Sequence, residues 1–349
     1  LKGFVLNQLS KEQYERIVEL GKGEETVIED QAEIEENKVV FEQTLKMEDS
    51  GLVFENEEVL YSQIETALKK GDHIILTGPP GTGKSKLAKA ICQAYGVESK
   101  MVTASSNWST YDTIGGYRPN RDGQLQFDPG IFLDVVKDKE TGVQKNEWLI
   151  IDEMNRADID KAFGSLFSVL TGDTVQLPYE ADNGKKVTLK MEGGQGTQGE
   201  EEYRIPQDWR MIGTMNTIDK ASLFEMSYAF MRRFAFIPVA IPRYINDTLI
   251  DSYLSMWGIH DYPFTSQLTA IWKLINAYRK IGPAIVRDIA LYTNESEDFV
   301  SAIILYVLPQ FEGLSDMKVN QFVEQLADLE DIIPDTSLLE DFVEDFFQQ

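Results

Sequence analysis

The stretch HIILTGPPGTGKSKLAKAI, residues 73–91, decides the fold. Its apolar run HIIL has the length and composition of a buried strand, and GPPGTGKS at 78–85 fits the spacing G-x-x-x-x-G-K-[ST]. Leu87, Ala88 and Ile91 then recur at helical spacing. Gly78, Gly81 and Gly83 let the backbone curl so that its N–H groups face phosphate oxygens, at the positive end of the following helix. Lys84 is expected to reach the terminal phosphates of a nucleotide, and the Ser85 hydroxyl to ligate magnesium. The whole run Gly78, Pro79, Pro80, Gly81, Thr82, Gly83, Lys84, Ser85 and Lys86 is read as the phosphate cradle.

Outward from this loop, the β-rich runs HIILT, KMVTA, WLII and RMIGTM alternate with helical patterns between Gly71 and Asn216. That alternation predicts a parallel sheet with helices on both faces, an α/β domain over residues 50–241. Ligands of such sheets bind beyond the carboxyl ends of the strands. The run WLII ends there on Asp152, placed to hold the magnesium, and Glu153, placed to polarise the water that attacks the γ-phosphate. RMIGTMN brings Asn216 to the same edge, where its amide can orient that water.

Past Asn216 a helix-like stretch closes on Arg232 and Arg233. Cations at a helix carboxyl end are favoured by only some tenths of a kcal/mol up to about 1. An arginine finger stabilising the γ-phosphate can instead contribute about 10³ to 10⁵ in rate. Strand and helix run away from the chain's own phosphate loop, so a finger here would serve a neighbouring subunit. Arg287, in IGPAIVRDI, has two readings as well: an ordinary surface cation, or a residue that closes over the γ-phosphate and couples nucleotide state to lid angle.

The 349 residues carry a formal net charge of -25, concentrated at the ends: residues 1–60 hold 6 Lys/Arg against 16 Asp/Glu, and residues 312–349 hold 1 against 11. Direct duplex binding needs a basic footprint, so the chain is not expected to bind DNA by itself. One cysteine, Cys92, excludes an internal disulfide and fits a reducing compartment. Two histidines, His73 and His260, leave no Cys/His zinc set and no histidine-dependent triad. His73 is expected at the start of the first core strand. Apolar runs fall short of the roughly 20 residues of a membrane span, and a cytoplasmic protein is expected.

Residues 8–20 have capping-box spacing and an apolar face, followed by an acidic linker at 21–38, so residues 1–49 are set apart. The Gly-, Asp- and Asn-rich segments 112–146 and 172–206 read as functional loops or hairpins. After Pro242 helical periodicity takes over, broken at YRKIGPA (278–284), which predicts a helical lid over 242–349. Its acidic tail keeps Leu338, Leu339, Phe342, Val343 and Phe346 at helical spacing and is expected to dock.

Taken together, GPPGTGKS, IIDEMNRADIDKAFGSL (150–166) and GTMNTIDKASLFEMSYAFMRRF (213–234) resemble an AAA+ ATPase of the dynein-related branch, similar to McrB-type restriction NTPases and more distantly to MoxR-like chaperones. The resemblance covers roughly residues 50–310. It implies a five-stranded parallel sheet with a helical lid, and a ring, usually a hexamer, with each nucleotide between two subunits. Within it Lys84 and Ser85 take the Walker A roles, Asp152 and Glu153 the Walker B roles, and Asn216 that of sensor 1. Arg232 or Arg233 becomes the finger acting in trans, and Arg287 sensor 2. The substrate implied is ATP, or GTP, with Mg²⁺, and the partner a McrC-like nuclease in restriction or phage defence. The alternatives are a MoxR-like protein remodeller and a nucleotide-gated scaffold with little turnover.

Overall fold

The computed structural model describes residues 38–41, 44–47, 50–164, 166–181, 183–193, 200–217, 226–329, 332–333 and 335–347. The helix expected at 8–20, and the acidic linker except Lys38, lie outside them. Ten strands order the described chain: β1 (His73–Gly78), β2 (Ser99–Thr103), β3 (Gly115–Pro119), β4 (Leu125–Pro129), β5 (Trp148–Asp152), β6 (Val175–Glu180), β7 (Lys186–Met191), β8 (Glu200–Ile205), β9 (Met211–Asn216) and β10 (Phe234–Pro238). They fall into two compact units, one built mainly from 109–147 and 163–209, the other from 41–108, 148–162 and 210–349.

The second unit holds a five-stranded sheet in the order β10-β1-β9-β5-β2, every pairing parallel. Ile74, Ile75, Leu76, Leu149, Ile150, Ile151, Met211 and Ile212 are all fully buried, the continuous apolar pattern of strands covered on both faces. Register sets the functional edge: Gly78 of β1 pairs with Asn216 of β9, and Thr103 of β2 with Asp152 of β5. Phosphate loop, carboxylates and amide therefore emerge together at the carboxyl ends. Strand β10 adds the fifth member, with His73 opposite Phe234 and Thr77 opposite Pro238. The helix Glu57–Lys70 packs against β1 and β10 through Leu60, Ile64, Ala67 and Leu68. It opens on Glu57 and Glu58, closes on Lys69 and Lys70, and stops at Gly71 with φ 102, so charge and conformation agree with its ends.

The same unit contains the helices Asp247–Met256, Thr265–Tyr278, Pro283–Ser296, Phe299–Ala302, Asp316–Ala327 and Ser337–Phe347. They have a core of their own, with Leu268, Ile271, Trp272, Ile275, Ile289, Phe311 and Phe322 at 0% exposure. The break at YRKIGPA separates two helices as expected, because Tyr278 ends one and Pro283 pre-sets the first turn of the next. Trp272 Nε1 donates to Ile281 O at 3.0 Å, and Asn276 Oδ1 accepts from Ile281 N at 2.9 Å, so the intervening loop is pinned from beneath. The acidic tail forms the helix Ser337–Phe347, docked on Asp316–Ala327 through buried Leu339 and Val343, with Leu338 and Phe346 exposed.

In the first unit the segments read as functional loops or hairpins carry regular structure. Strands β3 and β4 form an antiparallel hairpin, and β6-β7-β8 a three-stranded sheet in which β6 and β7 are antiparallel and β7 and β8 parallel. Phe127, Phe132, Leu133, Leu177, Val187, Leu189, Ile205 and Trp209 are buried there, and the rings of Phe132 and Trp209 meet edge to face. The hairpin reading fits these pairings, and the segments have buried residues besides. Among the described residues, the β3–β4 turn is a polar site, where Asn120 Oδ1 accepts from the backbone N–H groups of Asp122 and Gln124.

Candidate active site

At the end of β1 the chain turns through Gly81 (φ 74) and Gly83 (φ 85), left-handed conformations that glycine adopts without strain. The Lys84–Ala94 helix starts immediately after. Its buried face is Leu87, Ala88, Ile91 and Cys92, and burial pushes the Cys92 thiol up to about 12, a packing residue and not a nucleophile.

Lys84 is itself buried, with Nζ donating to Gly78 O at 3.1 Å, Pro79 O at 2.7 Å and Asn216 Oδ1 at 2.7 Å. Burial lowers its pKa to about 8 against the opposing pull of Glu153 and Asp152. The Asn216 amide then donates through Nδ2 to Glu153 Oε1 at 2.5 Å. One side chain thus joins the phosphate-loop lysine to the candidate base. Ser85 Oγ donates to Asp152 Oδ1 at 2.6 Å, and Thr214 Oγ1 donates to the same oxygen at 2.6 Å while accepting from Glu153 N at 3.0 Å. Glu153 sits at φ 53, a left-handed conformation rare for a non-glycine residue and concentrated at functional sites.

A cavity of about 640 Å³ opens beside this network. Its lining combines polar Thr82, Lys84, Ser85, Glu153, Asn216 and Arg287 with apolar Leu52, Val53, Met256 and Trp257. Tyr253 donates to Val53 O at 3.2 Å and stacks on Trp257. A ligand that carries both charged and flat apolar groups fits that mixed lining. The Gly282 N–H donates to Pro80 O at 2.9 Å and Ala284 N–H to Gly81 O at 3.1 Å, so the helical region bonds the phosphate loop directly. A Cβ at Gly282 would lie 2.4 Å from Gly81 backbone atoms.

For a divalent ion, the convergent oxygens of Ser85 and Asp152 fit the hard-donor preference of Mg²⁺, which is held by one or two protein oxygens plus phosphates and water. Among the described residues no cluster of three or more His, Cys, Asp or Glu could hold a metal by itself.

The structure thus brings together the cradle residues, Asp152, Glu153, Asn216 and Arg287. It separates Arg232 and Arg233, which precede β10 at the opposite end of the sheet, about 17 Å from the loop for a six-residue strand. The helix leading to them is described only as Tyr228–Met231. Arg232 is exposed, whereas Arg233 is half-buried, donates to Ala229 O, and with Arg210 adds to the burial that drives His73 to about 3. His73 opens β1 as expected and accepts from Met211 N at 3.1 Å. Sequence reasoning missed Thr214, whose only signal is its place two residues before Asn216. It also missed Tyr253, Met256 and Trp257, which no local pattern connects to a loop 170 residues earlier.

A family model described as AAA domain (dynein-related subfamily) matches residues 73–234, from the first residue of β1 to the first of β10. Residues 73–234 are an AAA+ P-loop NTPase domain. A second model, parvovirus non-structural protein NS1, matches residues 20–110 and overlaps the AAA domain over 73–110, around the phosphate loop. Among curated proteins, the AAA+ chain is 34% identical over 190 residues to the type IV methyl-directed restriction enzyme EcoKMcrB subunit of Escherichia coli (strain K12), covering 50% of this chain and 38% of that protein. It is 26% identical over 200 residues to the type II restriction enzyme BsuMI component YdiS of Bacillus subtilis (strain 168), covering 49% of this chain and 57% of the other. The AAA+ chain therefore matches about two fifths to three fifths of the length of these relatives.

Proposed function

We propose that this AAA+ NTPase hydrolyses ATP or GTP with Mg²⁺, in a ring of like subunits, to drive a partner in DNA restriction. The observation that carries the reading is the Asn216 amide bridging Lys84 Nζ and Glu153 Oε1. Lysine, amide and carboxylate must be registered on one edge for the γ-phosphate to be gripped and its attacking water aligned in line. Lys84 grips the terminal phosphates, Ser85 and Asp152 hold the metal that neutralises their charge, Glu153 takes the water proton, and Arg287 reads the γ-phosphate from the helical side. The exposed Arg232 is the finger for a neighbouring copy, since neither arginine reaches the chain's own site. Arg233, held by Ala229 O, supports it.

The partner follows from the relatives. One is described as a subunit and the other as a component of a restriction enzyme. We infer that this chain is likewise one part of an assembly, with the nuclease, a McrC-like protein, supplied separately.

The test is to compare Lys84→Ala with Glu153→Gln. Lys84→Ala is expected to abolish nucleotide binding. Glu153→Gln should retain the wild-type Kd within a few-fold while kcat falls about 10² to 10⁴. Equal loss of binding in both would sink the division of roles.

A further inference from the structure

We propose that Asp160 is a positioning residue that ties the arginine segment to the hydrolytic carboxylate of the same chain, so that each subunit's Walker B segment sets the finger offered to its neighbour. The proposal rests on the trans reading of Arg232 above.

Asp160 lies seven residues after Glu153 in the Ile159–Phe163 helix. Little slack separates them. Met154–Arg156 forms one tight turn closed by Arg156 N donating to Glu153 O at 2.9 Å, and Met154, Ala157 and Ile159 are buried at 0%, 1% and 2% exposure. Asp158 Oδ1 accepts from Lys161 N at 3.1 Å and fixes the helix start.

Both carboxylate oxygens of Asp160 are then spent on one residue 67 positions later. Oδ2 accepts from Ser227 N at 2.8 Å, and Oδ1 accepts from Ser227 Oγ at 2.6 Å. Charge-assisted pairs of this kind are roughly twice as strong as neutral ones, and two together fix orientation as well as distance. Ser227 Oγ in turn caps the next helix, accepting from Phe230 N at 3.2 Å. Fully buried Phe230 packs on Phe234 with ring centroids 4.5 Å apart. Arg232 N donates to Tyr228 O at 3.2 Å and Arg233 N to Phe230 O at 3.0 Å, so the turn that Ser227 caps is hydrogen-bonded to the arginine pair.

Complementation between full-length variants separates this role from a merely structural one. Asp160→Ala alone should keep its nucleotide Kd within a few-fold and lose at least tenfold in kcat. Mixed with Glu153→Gln, whose own site is dead but whose arginines are intact, it should regain turnover several-fold above either parent. Mixed with Arg232→Ala it should not. The opposite pattern, rescue by Arg232→Ala and not by Glu153→Gln, would place Asp160 in service of its own Glu153 and overturn the proposal, as would full activity of Asp160→Ala alone. The control mixture of Arg232→Ala with Glu153→Gln tests the shared site without any change at Asp160. If it shows no rescue, the trans reading has failed and the clamp falls with it. Should Asp160→Ala not fold, Ser227→Ala removes one of the two bonds and carries the same mixing test, with the same pattern expected.

Discussion

Burial draws the Lys84 ammonium down to about 8 even though Asp152 and Glu153 pull the other way, and that has a consequence in solution. The unfolded lysine titrates near 10.5, so below about 8 both states are charged and the fold bears the full desolvation penalty. Between about 8 and 10.5 the folded protein has released a proton that the unfolded chain keeps, and Lys84 makes stability rise with pH across that window. A bound triphosphate restores the charged form, so above about 8 binding takes up a proton. Affinity for a fluorescent nucleotide, titrated from pH 7 to 9.5, is expected to be flat at first and then to weaken by up to about tenfold per pH unit. A profile flat throughout would mean that Lys84 stays charged in the free protein. At this scale the site was largely legible, because the cradle, Asp152, Glu153 and Asn216 follow strands and carry their own spacing. Thr214 was not, since a threonine in a buried strand has the signature of packing until Asp152 is seen beside it.

Gly282 has ordinary extended backbone at φ -74, so alanine there is conformationally harmless; what forbids it is the loop backbone 2.4 Å away. Gly282→Ala must push the helical region off the phosphate loop and break one or both main-chain bonds to Pro80 O and Gly81 O. Overpacking of this kind costs about 1 to 3 kcal/mol. We expect a nucleotide Kd weakened at least tenfold with the helices still folded, since their core is separate from the loop. Isothermal titration beside circular dichroism checks it, and an unchanged Kd would show that the bonds carry no coupling. The legibility of elements followed their burial. Strands β1, β5 and β9 announce themselves as apolar runs because both faces are covered. Strand β10 does not: FAFIP ends on proline, leaves Phe236 39% exposed and lies at the sheet edge. In the other unit, KVTLKM buries Val187, Thr188, Leu189 and Lys190 in succession, but its threonine and lysines break up the apolar run that marks a covered strand in sequence.

Across the whole molecule, a net charge of -25 opposes self-association at low ionic strength, and the shared-site ring proposed above has to overcome it. Specific hydrolytic activity should therefore rise with protein concentration, and the midpoint of that rise should fall to lower concentration as salt is raised from about 50 to 200 mM. Turnover measured alongside mass photometry reads both, and a specific activity independent of concentration would assign the complete site to one chain. The cavity was not legible at this level, because its apolar lining comes from residues 52–53 and 253–257, which only the folded chain unites. The pairing of β1 with β10 has a further meaning. Gly78, at the phosphate loop, and Arg232, proposed above as the finger for a neighbour, cap opposite ends of two strands locked in parallel register from His73 to Thr77. In the proposed ring, input and output would be the two tips of one stiff rod, and a circle of such rods would have a sense of rotation built into it.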